Sequence, residues 1–131
     1  MEIQRVLETC LYVDDVAQAA DWYEDVLGLE RFADQPPRHV FFALEDQMLL
    51  LFDPDETEEA EPDDKAPPHA ARGPQHVAFA VEALDPWRQR LAEADVAIVA
   101  ESDWGGATSI YFEDPSGNVL ELMEKGAWPV W

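Results

Sequence analysis

Residues 8–16 read E-T-C-L-Y-V-D-D-V and residues 76–84 read H-V-A-F-A-V-E-A-L, two stretches that alternate apolar and other side chains in the same phase. Alternation at a period of two marks a strand with two distinct faces. In the first stretch Leu7, Thr9, Leu11 and Val13 form the mostly apolar row, which should meet a helix, while Glu8, Cys10 and Tyr12 take the opposite face. In the second, Val77, Phe79 and Val81 face the helix and His76, Ala78 and Ala80 point the other way. A chain that repeats its own fold unit is expected to close around a pseudo-twofold axis. Glu8 and His76 then face one another across the shared centre.

The flanking sequence supports the repeat. Asp15 can cap a helix whose third residue is Gln18, and Val16, Ala19, Tyr23, Val26 and Leu27 follow at helical spacing until Gly28 supplies the stop. Short strands are expected over 29–33, 38–44 and 47–52, broken by Pro36-Pro37 and by Glu45-Asp46. The second copy repeats the order: a strand over 75–81, a helix with Asp85 as cap and Pro86 at its first position, then strands over 96–101, 107–113 and 119–124. Trp104-Gly105-Gly106 forms one turn, and Asp114-Pro115-Ser116-Gly117 has the residues a type I turn wants. The expected fold is α+β: a single domain over 1–131 of two tandem βαβββ modules forming a cupped mixed sheet. Module one covers 1–53, an acidic proline-rich connector 54–74, module two 75–126 and a tail 127–131. The connector, D-P-D-E-T-E-E-A-E-P-D-D-K-A-P-P from Asp53 onward, reads as solvated chain without a core of its own.

Composition narrows the function classes. The chain carries 29 acidic against 8 basic residues, a formal net charge of -21, and its only lysines are Lys65 and Lys125. Nucleic acid and anionic membranes are therefore not expected as partners. Such self-repulsion is relieved by salt, so a salt-adapted cytoplasm is the expected setting, with an acidic mesophilic protein as the alternative. The opening M-E-I-Q-R-V-L-E-T has no export-signal pattern and no apolar run reaches the ~20 residues of a spanning helix, so the protein is expected to be cytoplasmic. Cys10 is the only cysteine and has no intrachain partner for a disulfide.

Glu8, His76 and Glu121 share the inner surface in this scheme. Three ionisable groups in an otherwise apolar concavity need a partner, and a divalent metal is the simplest one. Each residue also has a plainer reading: Glu8 as a solvent-facing strand residue, His76 as a satisfied core histidine. Aligning residues 45–52 with 113–122, so that Gln47 matches Asn118, puts Leu50 where Glu121 stands. Leu50, Tyr12, Tyr111 and Trp104 are candidates to line the pocket. No residue is singled out as a catalytic acid, base or nucleophile.

The stretches L-Y-V-D-D-V with W-Y-E-D-V-L-G-L-E, then G-P-Q-H-V-A-F-A-V, then E-D-P-S-G-N-V-L-E-L resemble the vicinal oxygen chelate superfamily of glyoxalases, bleomycin-resistance proteins and extradiol dioxygenases. The resemblance covers nearly the whole chain and implies a mononuclear site in which His76 and Glu121 match the second-module ligands and Glu8 the first-strand ligand. Leu50 replaces the glutamate that glyoxalase I uses as fourth ligand and base, so a typical glyoxalase I is not expected. One divalent ion (Mn, Fe, Ni, Co or Zn) is implied as cofactor, and an oxygen-rich ligand set suits Mn²⁺ or Fe²⁺ better than a sulfur-built zinc site. The resemblance further implies a small oxygenated substrate, a lyase, isomerase or dioxygenase type of reaction, and a homodimer. The alternative is a metal-free protein of the bleomycin-resistance kind that sequesters a cationic or aromatic ligand.

Overall fold

Asp15 sits in extended backbone and its carboxylate accepts from the Gln18 N–H at 3.0 Å, which starts helix α1 (Val16–Leu27). Gly28, at φ 69°, ends it by donating its N–H to the Glu24 carbonyl at 2.9 Å. Between these ends Val16, Ala19, Ala20, Tyr23, Val26 and Leu27 are buried. Their spacing is the stripe read from the sequence. The computed structural model describes residues 1–131, in two units, Met1–Gly73 and Pro74–Trp131.

In the first unit α1 follows β1 (Glu8–Tyr12) and precedes β2 (Glu30–Gln35), β3 (His39–Ala43) and β4 (Met48–Phe52). The sheet order is β1-β4-β3-β2, with β1 parallel to β4 and the other pairs antiparallel. Leu11, Val40, Phe42, Leu49 and Leu51 are buried, and Tyr23 of α1 stacks on Phe42 with ring centroids 5.9 Å apart. Burying such side chains stabilises by about 1.5–3 kcal/mol each, which makes this layer the core of the unit. A bulge between Arg31 and Ala33 shifts the register of β2. Arg31 thereby joins the helix side, where it pairs with Asp21 at 3.3 Å and with Glu24, while also holding Asp34 at 2.9 Å. These carboxylates, Asp34 and Glu24 first, push its guanidinium pKa further up.

The connector departs from the sequence expectation. Asp53 caps a short helix, α2 (Pro54–Thr57), in which Pro54 and Thr57 are buried. The Thr57 carbonyl accepts from the His69 N–H at 3.0 Å, Arg38 reaches Asp64 at 3.2 Å, and Arg72 holds Asp55 and Glu58 at 2.5 and 2.8 Å. Arg38 from the first sheet's side and Arg72 within the connector thus gather carboxylates of the acidic run.

The second unit repeats the order with β5 (His76–Ala80), α3 (Asp85–Glu93), β6 (Ala100–Asp103), β7 (Thr108–Glu113) and β8 (Val119–Met123), in sheet order β5-β8-β7-β6. Again the first and last strands run parallel. Each four-stranded sheet with its helix is one βαβββ module. Asp85 is not the cap of α3: it lies in the first turn, and the Leu84 N–H is instead taken by the Glu124 carboxylate at 3.1 Å. Strand β6 begins later than expected, at Ala100, although the Val99 N–H still reaches the Tyr111 carbonyl at 2.8 Å. The 114–117 turn forms as read: the Asp114 carbonyl accepts from Gly117, and its carboxylate accepts from the N–H groups of Ser116 and Asn118 and from the Asn118 amide. Gly126, at φ 129°, passes so close to the Gly106 carbonyl oxygen that a Cβ there would lie 2.7 Å from it. The tail beyond exposes Trp128, Val130 and Trp131. No helix is long and apolar enough to cross a membrane.

Candidate functional site

The face of the second sheet opposite Val77, Phe79, Leu120 and Leu122 carries His76, Ala78 and Ala80 on β5, Val119, Glu121 and Met123 on β8, and Ser109, Tyr111 and Glu113 on β7. The register requires it: His76 pairs with Val119, Ala78 and Tyr111 both pair with Glu121, and Ser109 pairs with Met123. Side chains of directly paired residues share a face. On β5 this row is exposed while Val77 and Phe79 are half-buried.

Within this inner face His76 and Glu121 meet. His76 Nε2 lies 3.1 Å from Glu121 Oε2, and His76 Nδ1 lies 2.9 Å from the Val119 carbonyl oxygen. A carbonyl oxygen only accepts, so Nδ1 carries the proton and donates it. In neutral imidazole Nε2 then presents a lone pair to a carboxylate oxygen that is also electron-rich. Something positive must lie between them, a proton or a metal ion. The other carboxylate oxygen, Oε1, is buried with no hydrogen-bond partner, and Glu121 as a whole is only 4% exposed. An imidazole whose Nδ1–H is fixed by a backbone carbonyl, aimed through Nε2 at a carboxylate with an unused oxygen, fits a metal-binding pair.

One aromatic ring flanks the pair, and a second is tied to Ser109 further along β7. Tyr111 stacks beside His76 at a centroid distance of 6.1 Å and an interplanar angle of 29°. Trp104 is 49% exposed, yet its indole N–H donates to Ser109 Oγ at 2.9 Å, which fixes the ring over the start of β7.

The first sheet shows what the repeat became in its other copy. Glu8 pairs with Met48 as His76 pairs with Val119, and Leu50 follows Met48 by two residues as Glu121 follows Val119. Glu8 and Leu50 are thus the register equivalents of His76 and Glu121. Glu8 is exposed and Leu50 is buried. Cys10, between Glu8 and Tyr12, has its thiol pKa pushed up by burial and then by Glu8, the opposite of an activated nucleophile. No three His, Cys, Asp or Glu side chains converge as a metal ion would need. The structure brings together two of the three candidate ligands, His76 and Glu121; Glu8 belongs to the first unit.

Phe52 anchors a ring cluster on the inner face of the first sheet. Around it stand His69 at 4.7 Å, Phe41 at 5.6 Å, His39 at 5.9 Å and Tyr12 at 6.2 Å between centroids. The Tyr12 hydroxyl lies 2.5 Å from His69 Nδ1. Burial first, and then Cys10, push the Tyr12 phenol up. His39 stacks on Phe41 at 4.2 Å, its Nδ1 is buried without a partner, and burial lowers its pKa. Sequence reasoning missed His39, Phe41, His69 and Ser109. The alternation of 38–44 could have flagged His39 and Phe41 on one face; nothing local marks His69, in the proline-rich connector.

A model of the Glyoxalase/Bleomycin resistance protein/Dioxygenase superfamily matches residues 4–122. Among solved structures, a lactoylglutathione lyase from Agrobacterium tumefaciens is 35% identical, with a TM-score of 0.93 over 98% of this chain and 99% of that one. TnmS3, a Streptomyces antibiotic binding protein, is 28% identical with a TM-score of 0.70, covering 96% of this chain and 99% of its own. A glyoxalase/bleomycin resistance protein/dioxygenase from Nocardioides, 20% identical with a TM-score of 0.73 over 100% of this chain and 91% of that one, shares the fold. No curated protein matches the chain.

Proposed function

Because the chain belongs to the glyoxalase/bleomycin resistance protein/dioxygenase superfamily, we propose that it is a divalent-metal-dependent enzyme of the lyase, isomerase or dioxygenase type acting on a small oxygenated substrate. The observation that carries this reading is the His76–Glu121 pair: Nδ1 committed to Val119, Nε2 facing Oε2 at 3.1 Å, and Oε1 buried without a partner. His76 and Glu121 hold the ion in this proposal. When bound, such an ion polarises a substrate oxygen and stabilises the negative charge that develops on it.

The protein's own groups have definite parts. Val119 fixes the imidazole so that it needs no reorientation to bind. A carboxylate oxygen beside an imidazole suits Mn²⁺ or Fe²⁺ better than a zinc site built on sulfur. Tyr111 shields one side of the imidazole. Leu50 offers no carboxylate at the register of Glu121, so the activity named for the Agrobacterium relative is not assigned to this chain. We further propose a homodimer in a salt-adapted cytoplasm, on the family's habit and on the charge.

A second reading, a metal-free protein that sequesters a cationic or aromatic ligand, is favoured by the half-exposed Trp104 and by the likeness to an antibiotic binding protein. Elemental analysis of protein purified without chelator separates the two. About one metal ion per chain, lost in Glu121→Ala, supports the enzyme; no uptake from a panel of Mn²⁺, Fe²⁺, Ni²⁺, Co²⁺ and Zn²⁺ supports the sequestering protein.

A further inference from the structure

We propose that the connector is an autoinhibitory strap: its His69 ring plugs an aromatic seat on the inner face of the first sheet, and the strap lifts from that seat as a unit while the sheet stays folded. The proposal goes beyond the metal reading and does not depend on it, since every group it uses lies within the first unit.

Strand register fixes the seat. Tyr12 pairs with Phe52 across β1 and β4, and His39 pairs with Phe52 across β3 and β4, so the three side chains stand in one row on one face. Helix α1 packs on the other face, where Tyr23 stacks on Phe42. His69 lies over the middle of the row: its ring meets Phe52 edge-on, with centroids 4.7 Å apart and planes at 82°, and its Nδ1 lies 2.5 Å from the Tyr12 hydroxyl. Phe52 is only 6% exposed as a result of the rings around it. The fit is incomplete, because His39 Nδ1 at the far end of the row is buried without a partner. A plug that satisfies one end of its seat and leaves the other idle is displaceable.

Little else holds the strap down. Pro54 and Thr57 anchor α2 by burial, but over residues 58–73 only Asp64, His69 and Ala71 are less than exposed, and Pro62, Pro67 and Pro68 all stand in solvent. The His69 N–H reaches the Thr57 carbonyl at 3.0 Å and Asp64 reaches Arg38 at 3.2 Å. Arg72 turns back onto Asp55 and Glu58, which ties the end of the strap to α2 and its flank and not to the sheet. Exposed ion pairs add little, and a segment with few buried apolar contacts opens at far less cost than the whole unit unfolds. His69 is the only aromatic residue in 58–73. Displacing that one ring therefore frees the strap and bares Tyr12, Phe52 and His39.

Amide exchange and imidazole titration of the full chain test this. Tyr12→Phe removes the hydroxyl and keeps the ring. Exchange at the N–H groups of His69 and Asp64, bonded to Thr57 and Glu61, should quicken together about fivefold, as the loss of one neutral hydrogen bond gives. Val40 and Leu51, paired within the sheet, should keep their protection. In His69→Ala, added imidazole should shift the ring resonances of Tyr12 and Phe52 saturably, at a concentration at least about tenfold below that needed with the parent chain, where the plug competes for the seat. Unchanged exchange in Tyr12→Phe, or an equal loss of protection in the sheet, overturns the strap. No saturable shift in His69→Ala, or the same titration in both chains, overturns the seat and the proposal with it.

Discussion

Leu50 occupies in the first sheet the register position that Glu121 occupies in the second, two residues beyond the partner of Glu8 and of His76 respectively. Both side chains are buried, Leu50 at 8% and Glu121 at 4% exposure. One fold unit thus accepts either an apolar side chain or a carboxylate at the same point.

The first prediction follows. A buried carboxylate with one unpartnered oxygen is costly, and replacing it by an apolar side chain that the repeat already accommodates should relieve that cost. Glu121→Leu should stabilise metal-free protein by about 1–3 kcal/mol and abolish metal retention. Urea unfolding together with elemental analysis checks it. A destabilised variant would show that the carboxylate is held by more than its bond to His76.

A second prediction concerns His39, whose pKa is lowered by burial. Unfolded imidazole titrates near ~6.5, so above that pH both states are neutral and the buried ring contributes fully. As pH falls below ~6.5 the unfolded chain takes up a proton that the folded ring resists, and stability is lost until the lower folded pKa is passed. His39→Phe removes this linkage. The variant should therefore gain on the parent, by urea midpoint, as pH falls from about 7 to 5; a constant difference would place the imidazole in contact with water.

Asp114 supports the last hairpin through Ser116, Asn118 and the Asn118 amide. Asn118 in turn accepts from the Gln75 N–H at 3.0 Å, just before His76. Asp114→Ala should cost about 2–4 kcal/mol, since buried donors lose their acceptor, and should loosen the His76–Glu121 pair. Amide exchange at Ser116 and Asn118 reads the loss directly; unchanged protection would mean that the turn holds without its carboxylate.

With 29 acids against 8 bases, self-repulsion outweighs the arginine ion pairs. Melting temperature should rise with KCl from low salt to about 1 M, where the screening length shortens to ~3 Å. A flat or falling curve would mean that the pairs of Arg31, Arg38 and Arg72 dominate and that the salt-adapted setting is wrong.

Local chemistry made much of this legible in the sequence. Asp15 with Gln18, Gly28 and the 114–117 turn act over three or four residues, and alternation placed His76 and Glu121 on one face without further help. Matching Gln47 with Asn118 also gave the Leu50–Glu121 equivalence that the two strand registers show. What escaped depends on partners far along the chain. Arg38 reaches Asp64 of the connector, the Leu84 N–H ahead of α3 meets Glu124 forty residues on, and Arg31 beside the β2 bulge pairs with acids of α1. The rings gathered around Phe52 come from β1, β3, β4 and the connector. No window of sequence contains them all.

The shared register of the two modules has a practical consequence for anyone engineering this chain. Transplanting residues between repeat-related positions will not be symmetric, because one copy has been given over to apolar filling and the other to holding charge out of water. Changes at Cys10, Leu50 or Phe52 should be judged by how they fill space, and changes at Ala78, Glu121 or Met123 by what they do to a buried carboxylate. The duplicated halves have become two different materials built on one template.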